Sequence, residues 1–178
     1  MLDIKESEAA AEGNLLVAFF DLTLFARYAK TKPSAEIFNL FEEYFELVGG
    51  IVESSGGRVV KFIGDAGLIV FGEESANAGV VALLDLKVRG DVWLAERKVP
   101  CRNVVKVHVG PVTYGYLGTP TDKRFDIYGV TVNTAAMLQS NGFAMSPQVF
   151  RKLEPAVRRR FKKHTPPITY IPVDERHG

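Results

Sequence analysis

The chain has 178 residues, of which 47% are hydrophobic and 24% charged, and its formal net charge is +1. This length predicts one domain with a substantial buried core. The near-zero net charge argues against a protein that binds nucleic acid by neutralising phosphates. No apolar stretch is long enough to span a bilayer, so we expect no membrane segment in this chain.

The first residues and the single cysteine bear on the compartment. Residues 1–13 are acidic and rich in alanine, and they lack the apolar segment of a signal peptide. We therefore expect a flexible tail over residues 1–13 and one domain over residues 14–178. Cys101 is the only cysteine and has no partner for an internal disulfide, which fits a reducing cytoplasm.

In the first half of the chain, apolar spacing predicts a strand, helices and a hairpin. The continuous apolar run over residues 15–20 predicts a buried strand, and a short helix is expected near residues 23–29. Ser34 is expected to cap the next helix, which ends before Gly56. Its apolar residues recur at helical spacing, namely Ile37, Phe38, Phe41, Phe45, Val48 and Val52. Residues 58–63 and 67–71 then predict a β-hairpin.

The second half predicts one long helix followed by shorter elements. A helix is expected over residues 76–97, with Val80, Leu83, Leu84, Val88 and Val92 facing inward. Gly110 and Pro111 are expected to break a strand into two pieces. The remaining predicted segments are strands at 124–128, 143–145 and 168–173, a helix at 131–139, and a helix that Ser146 caps. The order predicts an α/β, or α+β, sandwich with a ferredoxin-like βαββαβ core, extra C-terminal strands and helices, and a mostly antiparallel sheet.

Two aspartates stand where apolar strands stop. Asp21 follows the run over residues 15–20, and Asp65 lies in the turn of the predicted hairpin. Neighbouring strands that end in this way would hold two carboxylates at one edge of a sheet, and carboxylate oxygens are the ligands that Mg²⁺ prefers. The alternative interpretation is two ordinary turn aspartates.

Four motifs in series carry a resemblance to a known family. The chain resembles the class III nucleotidyl cyclase catalytic domain, that of the adenylyl and guanylyl cyclases, from about residue 15 to residue 173. The motifs are Phe20-Asp21-Leu22-Thr23-Leu24-Phe25, Lys61-Phe62-Ile63-Gly64-Asp65, His108-Val109-Gly110-Pro111-Val112, and Phe125-Asp126-Ile127-Tyr128-Gly129 with Val132-Asn133.

The resemblance implies a phosphoryl transfer that makes 3′,5′-cyclic AMP and pyrophosphate from ATP with two Mg²⁺ or Mn²⁺ ions. It implies that Asp21 and Asp65 bridge both ions and that the carbonyl of Leu22 adds a ligand. The amides of residues 23–25, which are Thr23, Leu24 and Phe25, would receive triphosphate oxygens.

The resemblance also implies which residues read the base and the ribose. A lysine donor at Lys61 and an aspartate acceptor at Asp126 complement adenine, whereas guanine requires the opposite arrangement. Taken singly, these residues also fit a solvated strand lysine and a charge that protects a sheet edge. Asn133 matches the family's ribose-binding asparagine.

Two residues depart from the pattern of the family. Met137, four residues after Asn133 on the same helix face, occupies the position of an arginine that stabilises the transition state. Loss of such a charge typically costs on the order of 10²–10³ in rate, and we interpret Met137 as a residue that packs in the core or an interface. Leu24 replaces a glycine, so it is expected to crowd the phosphate loop or to change its backbone angles.

The basic cluster over residues 158–163 has two interpretations. It is either a solvated surface at the end of a helix or, at Lys162, a contact to the triphosphate, as the resemblance implies. The family also implies that the site is shared by two chains, with metals and phosphate loop from one and base and ribose readers from the other. The partner is then a second copy, or a different subunit that supplies the missing arginine; Lys123 or Arg124 could also compensate for it.

The sequence is compatible with three functions. The first is an adenylate cyclase of low activity, and the second is a weak or inactive homologue that serves as a nucleotide-binding and dimerisation module. The third, a palm-type cyclase that makes a dinucleotide from GTP, is disfavoured because its Gly-Gly-acidic hairpin signature is absent.

Overall fold

The computed structural model describes residues 9–176 and shows a mixed α+β fold built on one sheet of eight strands. The strand order is β2-β3-β1-β4-β6-β8-β7, with β5 paired to β4. All strand pairs are antiparallel except β4 with β6, which confirms the predicted fold class. The strands are β1 Ala11–Leu22, β2 Arg58–Ile63, β3 Ala66–Gly72, β4 Asn103–Thr119, β5 Asp122–Tyr128, β6 Phe143–Met145, β7 Phe161–His164 and β8 Thr169–Pro172.

Six α-helices and one 3₁₀ turn, Glu73–Ser75, accompany the sheet within the described residues. The helices are α1 Phe25–Ala29, α2 Ser34–Ser54, α3 Ala76–Glu96, α4 Val130–Met137, α5 Pro147–Lys152 and α6 Pro155–Arg158. The Ser146 hydroxyl caps α5 by accepting a hydrogen bond from the Val149 amide, as predicted. Ser34, by contrast, is the first residue inside α2 and its side chain makes no capping hydrogen bond.

The two faces of the sheet are covered differently. The helix face carries Leu16, Ala18 and Phe20 of β1, and it packs on buried residues of α2, α3 and α5 in the larger core cluster. The open face carries Leu15, Val17 and Phe19, and among the described residues β5 and α4 pack on it. The alternation of side chains along β1 separates the two sets.

The strand register aligns a row of side chains across the open face. Lys61 of β2 is opposite Leu68 of β3, Leu68 is opposite Phe19 of β1, and Phe19 is opposite Lys106 of β4. A β-bulge lies between Val59 and Lys61. Side chains in one row share one face of a pleated sheet, so Leu68 and Phe19 lie between two lysines on the open face.

The predicted break at Gly110 and Pro111 is wrong, because β4 runs through both residues. β4 pairs with β6 at residues 105–107 and with β5 at residues 113–119, so Pro111 falls in the gap between these two partners. A proline lacks a backbone donor and is tolerated where no ladder hydrogen bond is required. The result is one long strand that links both halves of the open face.

The orientation of α3 also differs from the prediction. Val80, Leu83 and Leu84 are buried, but Val88 and Val92 are 58% and 53% exposed. The C-terminal half instead buries Gly90, where a Cβ would lie 2.6 Å from the Asn103 side-chain nitrogen. Because only glycine permits this close approach, the helix turns its glycine toward the sheet and its valines outward. The predicted α2 stripe has one similar exception, Phe38, which is 70% exposed.

Two other boundaries differ. β1 begins at Ala11 rather than at residue 15, because residues 11–14 pair with residues 111–114 of β4. The predicted tail therefore overlaps the sheet at residues 11–13, and its first eight residues lie outside the described part of the chain. β7 was not predicted as a strand; it begins at Phe161, inside the basic cluster.

Candidate active site

The two predicted carboxylates lie together. Asp21 is next to the last residue of β1, and the pairing of Phe20 with Gly67 brings the β2–β3 turn, which contains Asp65, alongside it. Burial raises the pKa of Asp65 above its ordinary value, and the neighbouring Asp21 carboxyl raises it further through its charge and a direct hydrogen bond. The backbone amides of Asp65 and Leu22 oppose this shift. Two carboxyl groups therefore face each other at one end of the open face.

This pair fits a divalent cation. Desolvation is the main cause of the raised pKa of Asp65, and repulsion between two carboxylates in contact adds to it. Within residues 9–176, no three histidine, cysteine or carboxylate side chains gather into a complete metal site. A magnesium or manganese ion here would take two carboxylates from the protein and its other oxygens from backbone, water and a phosphate ligand.

The loop after β1 is held in one conformation. The Thr23 amide donates to the carbonyl of Arg102 at 2.9 Å, and the Thr23 hydroxyl accepts from the Arg102 amide at 2.9 Å. This corrects the expectation for Thr23, whose amide is already used inside the protein. The amides of Leu24 and Phe25 donate no hydrogen bond to any described residue, so only these two can receive a ligand oxygen.

Leu24 keeps the backbone shape that glycine favours. Its φ is 58°, in the left-handed region, and its side chain is 67% exposed. The strain of a non-glycine residue in this region is about 1–2 kcal/mol. The expected crowding is therefore not seen, since the leucine side chain points into solvent while Phe25 packs on Phe41 with ring centroids 4.7 Å apart.

Lys61 and Asp126 form an ion pair. Lys61 Nζ lies 2.6 Å from Asp126 Oδ2, and the other carboxylate oxygen accepts the Ile127 amide at 2.9 Å. The Asp126 side chain is 13% exposed and the Lys61 side chain 41%. β5 lies over the open face and so brings Asp126, which is distant in sequence, next to Lys61.

A cavity of about 340 Å³ adjoins this ion pair. Phe19 and Leu68 form part of its lining, Asn133 lies on the α4 side, and the rest is Lys61, Ile63, Ile127, Tyr128, Gly129 and Val132. The cavity thus joins an apolar surface to the Lys61 ammonium, which Asp126 pairs from outside the lining, and to one carboxamide, which is typical of a small-ligand site. We call Lys61, Asp126 and Asn133 the ion-pair half, and Asp21, Asp65 and the loop over residues 23–25 the carboxylate half.

Met137 ends α4 and is 80% exposed, so packing of Met137 in the core is wrong, whereas packing in an interface stays a prediction. The helix stops two residues earlier than predicted, and Leu138 is extended. Lys106, which the sequence analysis did not single out, donates from Nζ to the Ala136 carbonyl at 3.1 Å. The alternation of residues along β4 could have placed Lys106 on the open face, but its neighbours follow only from the register.

The structure places Lys162 away from these residues within one chain. Lys162 lies on β7 at the outer edge of the sheet, and its Nζ donates to the Val173 carbonyl at 2.7 Å. Four inter-strand spacings of about 4.8 Å separate β7 from β1. A contact between Lys162 and a ligand at the carboxylate half of its own chain would therefore require a rearrangement.

No helix within residues 9–176 combines the length and the apolar composition needed to cross a bilayer.

Comparisons with known sequences and structures show which proteins this chain is similar to. The sequence pattern of the adenylate and guanylate cyclase catalytic domain matches residues 8–165. Retinal guanylyl cyclase 2 of Rattus norvegicus is 29% identical over 132 residues, which cover 70% of this chain and 12% of that protein. The chain thus spans about an eighth of the length of this relative.

Solved structures share the fold. A bacterial light-regulated adenylyl cyclase superposes with a TM-score of 0.81 and 22% identity over 94% of this chain and 53% of that one. An adenylyl cyclase from P. aeruginosa gives a TM-score of 0.81 and 19% identity over 95% of this chain and 98% of that one. Since the match to the family covers most of the chain, the protein belongs to the adenylate and guanylate cyclase catalytic domain family.

Proposed function

We propose that the chain is an adenylate cyclase that converts ATP to 3′,5′-cyclic AMP and pyrophosphate at a site shared between two chains. The observation that carries the choice of ATP is the Lys61–Asp126 ion pair beside the cavity. Lys61 keeps N–H groups that can donate to a ring nitrogen, and Asp126 keeps lone pairs that can accept from an amino group. Adenine offers this combination at its Watson–Crick edge and guanine offers the reverse.

The reaction forms one bond and breaks one. The ribose 3′-oxygen attacks the α-phosphorus, the bond from that phosphorus to the bridging oxygen of the β-phosphate breaks, and pyrophosphate leaves with the electron pair. The proton of the 3′-hydroxyl passes to water. The protein's task is to position the ribose against the α-phosphate and to neutralise phosphate charge. Asn133, which lines the cavity, is suited to orient the ribose.

The carboxylate half is suited to the phosphate end of the substrate. When bound, two Mg²⁺ or Mn²⁺ ions would neutralise phosphate oxygens as Lewis acids. Asp21 and Asp65 would hold these ions, with the Leu22 carbonyl as a further ligand. The amides of Leu24 and Phe25 would donate to phosphate oxygens, since no described residue accepts from them.

Exposed apolar side chains around the cavity support a dimer. Large apolar residues with more than 40% of their surface exposed lie in or next to the cavity lining and at the end of α4, namely Ile63, Tyr128, Val130 and Met137. Such patches mark interaction surfaces. Domains of this fold include a guanylyl cyclase domain from Blastocladiella emersonii whose dimer is described as non-canonical. A second copy would cover this patch and bring its carboxylate half to the ion-pair half of the first chain. In that arrangement, Lys162 reaches a triphosphate only across the interface.

The rival function is a nucleotide-binding module without turnover. It is favoured by Met137, an uncharged residue at an exposed position where the family has an arginine. The joint presence of the carboxylate pair and the ion pair favours the enzyme, since a decayed site would not be expected to keep both.

Incubation of the purified chain with ATP or GTP and with Mg²⁺ or Mn²⁺ tests the proposal, with cyclic nucleotide and pyrophosphate measured together. We expect cyclic AMP and pyrophosphate in equal amounts, a preference for ATP, and loss of at least about 10³-fold in Asp65→Asn, which keeps the shape of the side chain but not its charge. Asp85→Asn, an exposed carboxylate on α3, is the matched control. ATP binding without product in any metal would establish the module instead, and cyclic GMP as the main product would refute the role given to Lys61 and Asp126.

A further inference from the structure

Lys106 is a half-buried cation whose charge is not neutralised within the described chain. Its Nζ donates to the carbonyl of Ala136 at 3.1 Å, and it forms no ion pair with any carboxylate of residues 9–176. An ammonium carries three N–H groups, so this single neutral acceptor leaves most of its capacity unused. A charge that is partly removed from water is stabilised by an anion, and this site presents none from the chain itself.

The sheet register puts this ammonium beside the carboxylate half. Lys106 is directly opposite Phe19, and Asp21 follows Phe19 by two residues on the same face of β1. Diagonal neighbours of this kind on adjacent antiparallel strands lie about 7–8 Å apart, which is within reach of a long side chain. A phosphate held at Asp21 through a cation would therefore lie within reach of Lys106.

The same ammonium also lies at the end of α4. Its acceptor, Ala136, immediately precedes Met137, and Asn133 is one turn earlier on that helix. The Lys106 ammonium thus lies at the end of α4 beside Met137, whose exposed thioether carries no charge. Within one chain, Lys106 thus lies between the end of β1 and the end of α4, which serve different sites in the proposed dimer.

The other candidate cations are placed less well. Arg124 is 82% exposed at the tip of the β4–β5 hairpin and pairs with Asp122 at 2.9 Å. Lys123 is opposite Gly118 at the same tip. Lys61 is held by Asp126 at 2.6 Å. Among these, only Lys106 combines a position on the open face with an ammonium that no carboxylate neutralises.

We propose that Lys106 is a catalytic residue that contacts the phosphates of the nucleotide at the carboxylate half of its own chain and supplies the positive charge that Met137 of the partner subunit does not. This rests on the proposed cyclase function. As the bond between the α-phosphorus and the bridging oxygen breaks, negative charge develops on the leaving pyrophosphate, and the Lys106 ammonium donates hydrogen bonds to these oxygens. Lys106 forms no covalent bond and transfers no net proton.

The test uses Lys106→Gln, which keeps an N–H donor for the Ala136 carbonyl but removes the charge. Lys98→Gln, at an exposed lysine after α3, is the matched control. We expect Lys106→Gln to lower kcat about 10²-fold with a small change in KM, since one preorganised charge donor is lost. Lys98→Gln should match wild type, and Lys106→Arg, which keeps the charge, should retain most activity.

The same substitution made in Met137→Arg separates a catalytic role of Lys106 from a structural role, in which Lys106 only binds the Ala136 carbonyl at the end of α4. In Met137→Arg, the new guanidinium takes over the charge, so Lys106→Gln should cost less than about 10-fold there. An equal loss in both backgrounds, or a loss in Lys106→Arg equal to that in Lys106→Gln, would assign Lys106 a structural role and overturn the proposal.

Binding of pyrophosphate distinguishes this proposal from failure of the cyclase function. If wild type turns over no nucleotide, calorimetry with Mn²⁺ and pyrophosphate still tests the contact in the full chain. We expect Lys106→Gln to bind pyrophosphate about tenfold more weakly than wild type and Lys98→Gln to bind it equally. Equal affinity in all three proteins would overturn the role of Lys106, whatever the activity.

Discussion

The carboxylate half and the ion-pair half satisfy their charges in opposite ways. Asp21 and Asp65 are two like charges in contact, and burial together with this neighbour raises the pKa of Asp65. Lys61 and Asp126 are opposite charges 2.6 Å apart that satisfy each other. The first arrangement is electrostatically complete only with a cation, whereas the second is already formed in the free chain.

This difference separates the roles that the two halves can play. A site that needs a cation is suited to a ligand that brings metal ions with it, such as a nucleoside triphosphate. A site whose donor and acceptor are fixed in advance is suited to discrimination between ligands, because a wrong ligand leaves these polar groups without their hydrogen bonds. We therefore expect metal dependence to follow the carboxylate half and base selectivity to follow the ion-pair half.

Complementation gives the largest expected effect and tests whether the halves work across chains. Asp65→Asn damages only the carboxylate half, and Asn133→Ala damages only the ion-pair half. Mixed and allowed to exchange subunits, the two inactive variants should recover about a quarter of wild-type turnover, because half of the dimers are mixed and each contains one intact site. The measurement is cyclic nucleotide production before and after mixing. No recovery, despite exchange shown with tagged chains, would place both halves of a site in one chain.

Reversal of the ion pair should change base selectivity next most strongly. Lys61→Glu/Asp126→Lys preserves an attractive pair but exchanges donor and acceptor. The ratio of kcat/KM for ATP to that for GTP should fall about 10²-fold, since each unpaired polar group costs about 1–3 kcal/mol. Reversal of the exposed pair Asp85–Arg89 on α3 is the control and should leave the ratio unchanged. An unchanged ratio in the first variant would remove the base-reading role.

Addition of a charge beside the ion-pair half should raise the rate. Met137 is exposed at the end of α4, so Met137→Arg introduces a guanidinium without disturbing the core. We expect kcat to rise about 10-fold. A sole charge donor supplies a factor on the order of 10²–10³, but here Lys106 already provides part of this stabilisation. Met137→Gln, which is similar in length but uncharged, is the control. A rise in both variants would point to solubility or dimerisation rather than charge.

Removal of one charge from the carboxylate half should stabilise the metal-free protein slightly. A raised carboxyl pKa means that ionisation of Asp65 disfavours the folded state, so the cost is present above the folded pKa and disappears at acidic pH. Asp65→Asn should raise Tm by roughly 2 °C at neutral pH in a metal chelator and less at acidic pH. Addition of Mn²⁺ should raise the Tm of wild type but not of the variant. A lower Tm for Asp65→Asn in chelator would contradict the repulsion.

Local sequence patterns were enough for most elements and for the two carboxylates. Residues 15–20 are continuously apolar, which requires a buried strand, and an acidic residue after such a run must lie at the end of that strand. The turn at Asp65 followed in the same way from the hairpin. The donor and acceptor character of Lys61 and Asp126 was also readable, because it belongs to the side chains themselves.

Close packing could not be read from the sequence. The outward turn of Val88 and Val92 depends on the contact of Gly90 with Tyr44 and Asn103, three elements that are distant along the chain. The continuity of β4 through Pro111 depends on a gap between two other strands. Periodicity predicts which side of an element is apolar, but it does not predict which residues that side contacts.

By itself, the sequence determined the fold class, the family resemblance, and the residue types available for chemistry, because these depend on local order and on side-chain composition. Only the tertiary structure decided between a carboxylate pair and two separate turn aspartates, and only it showed that Lys61 is paired with Asp126 and that Lys106 lies beside the end of α4. The physical reason is the strand register: it fixes which distant side chains share a face, and a shift of one residue would move each of them to the opposite side.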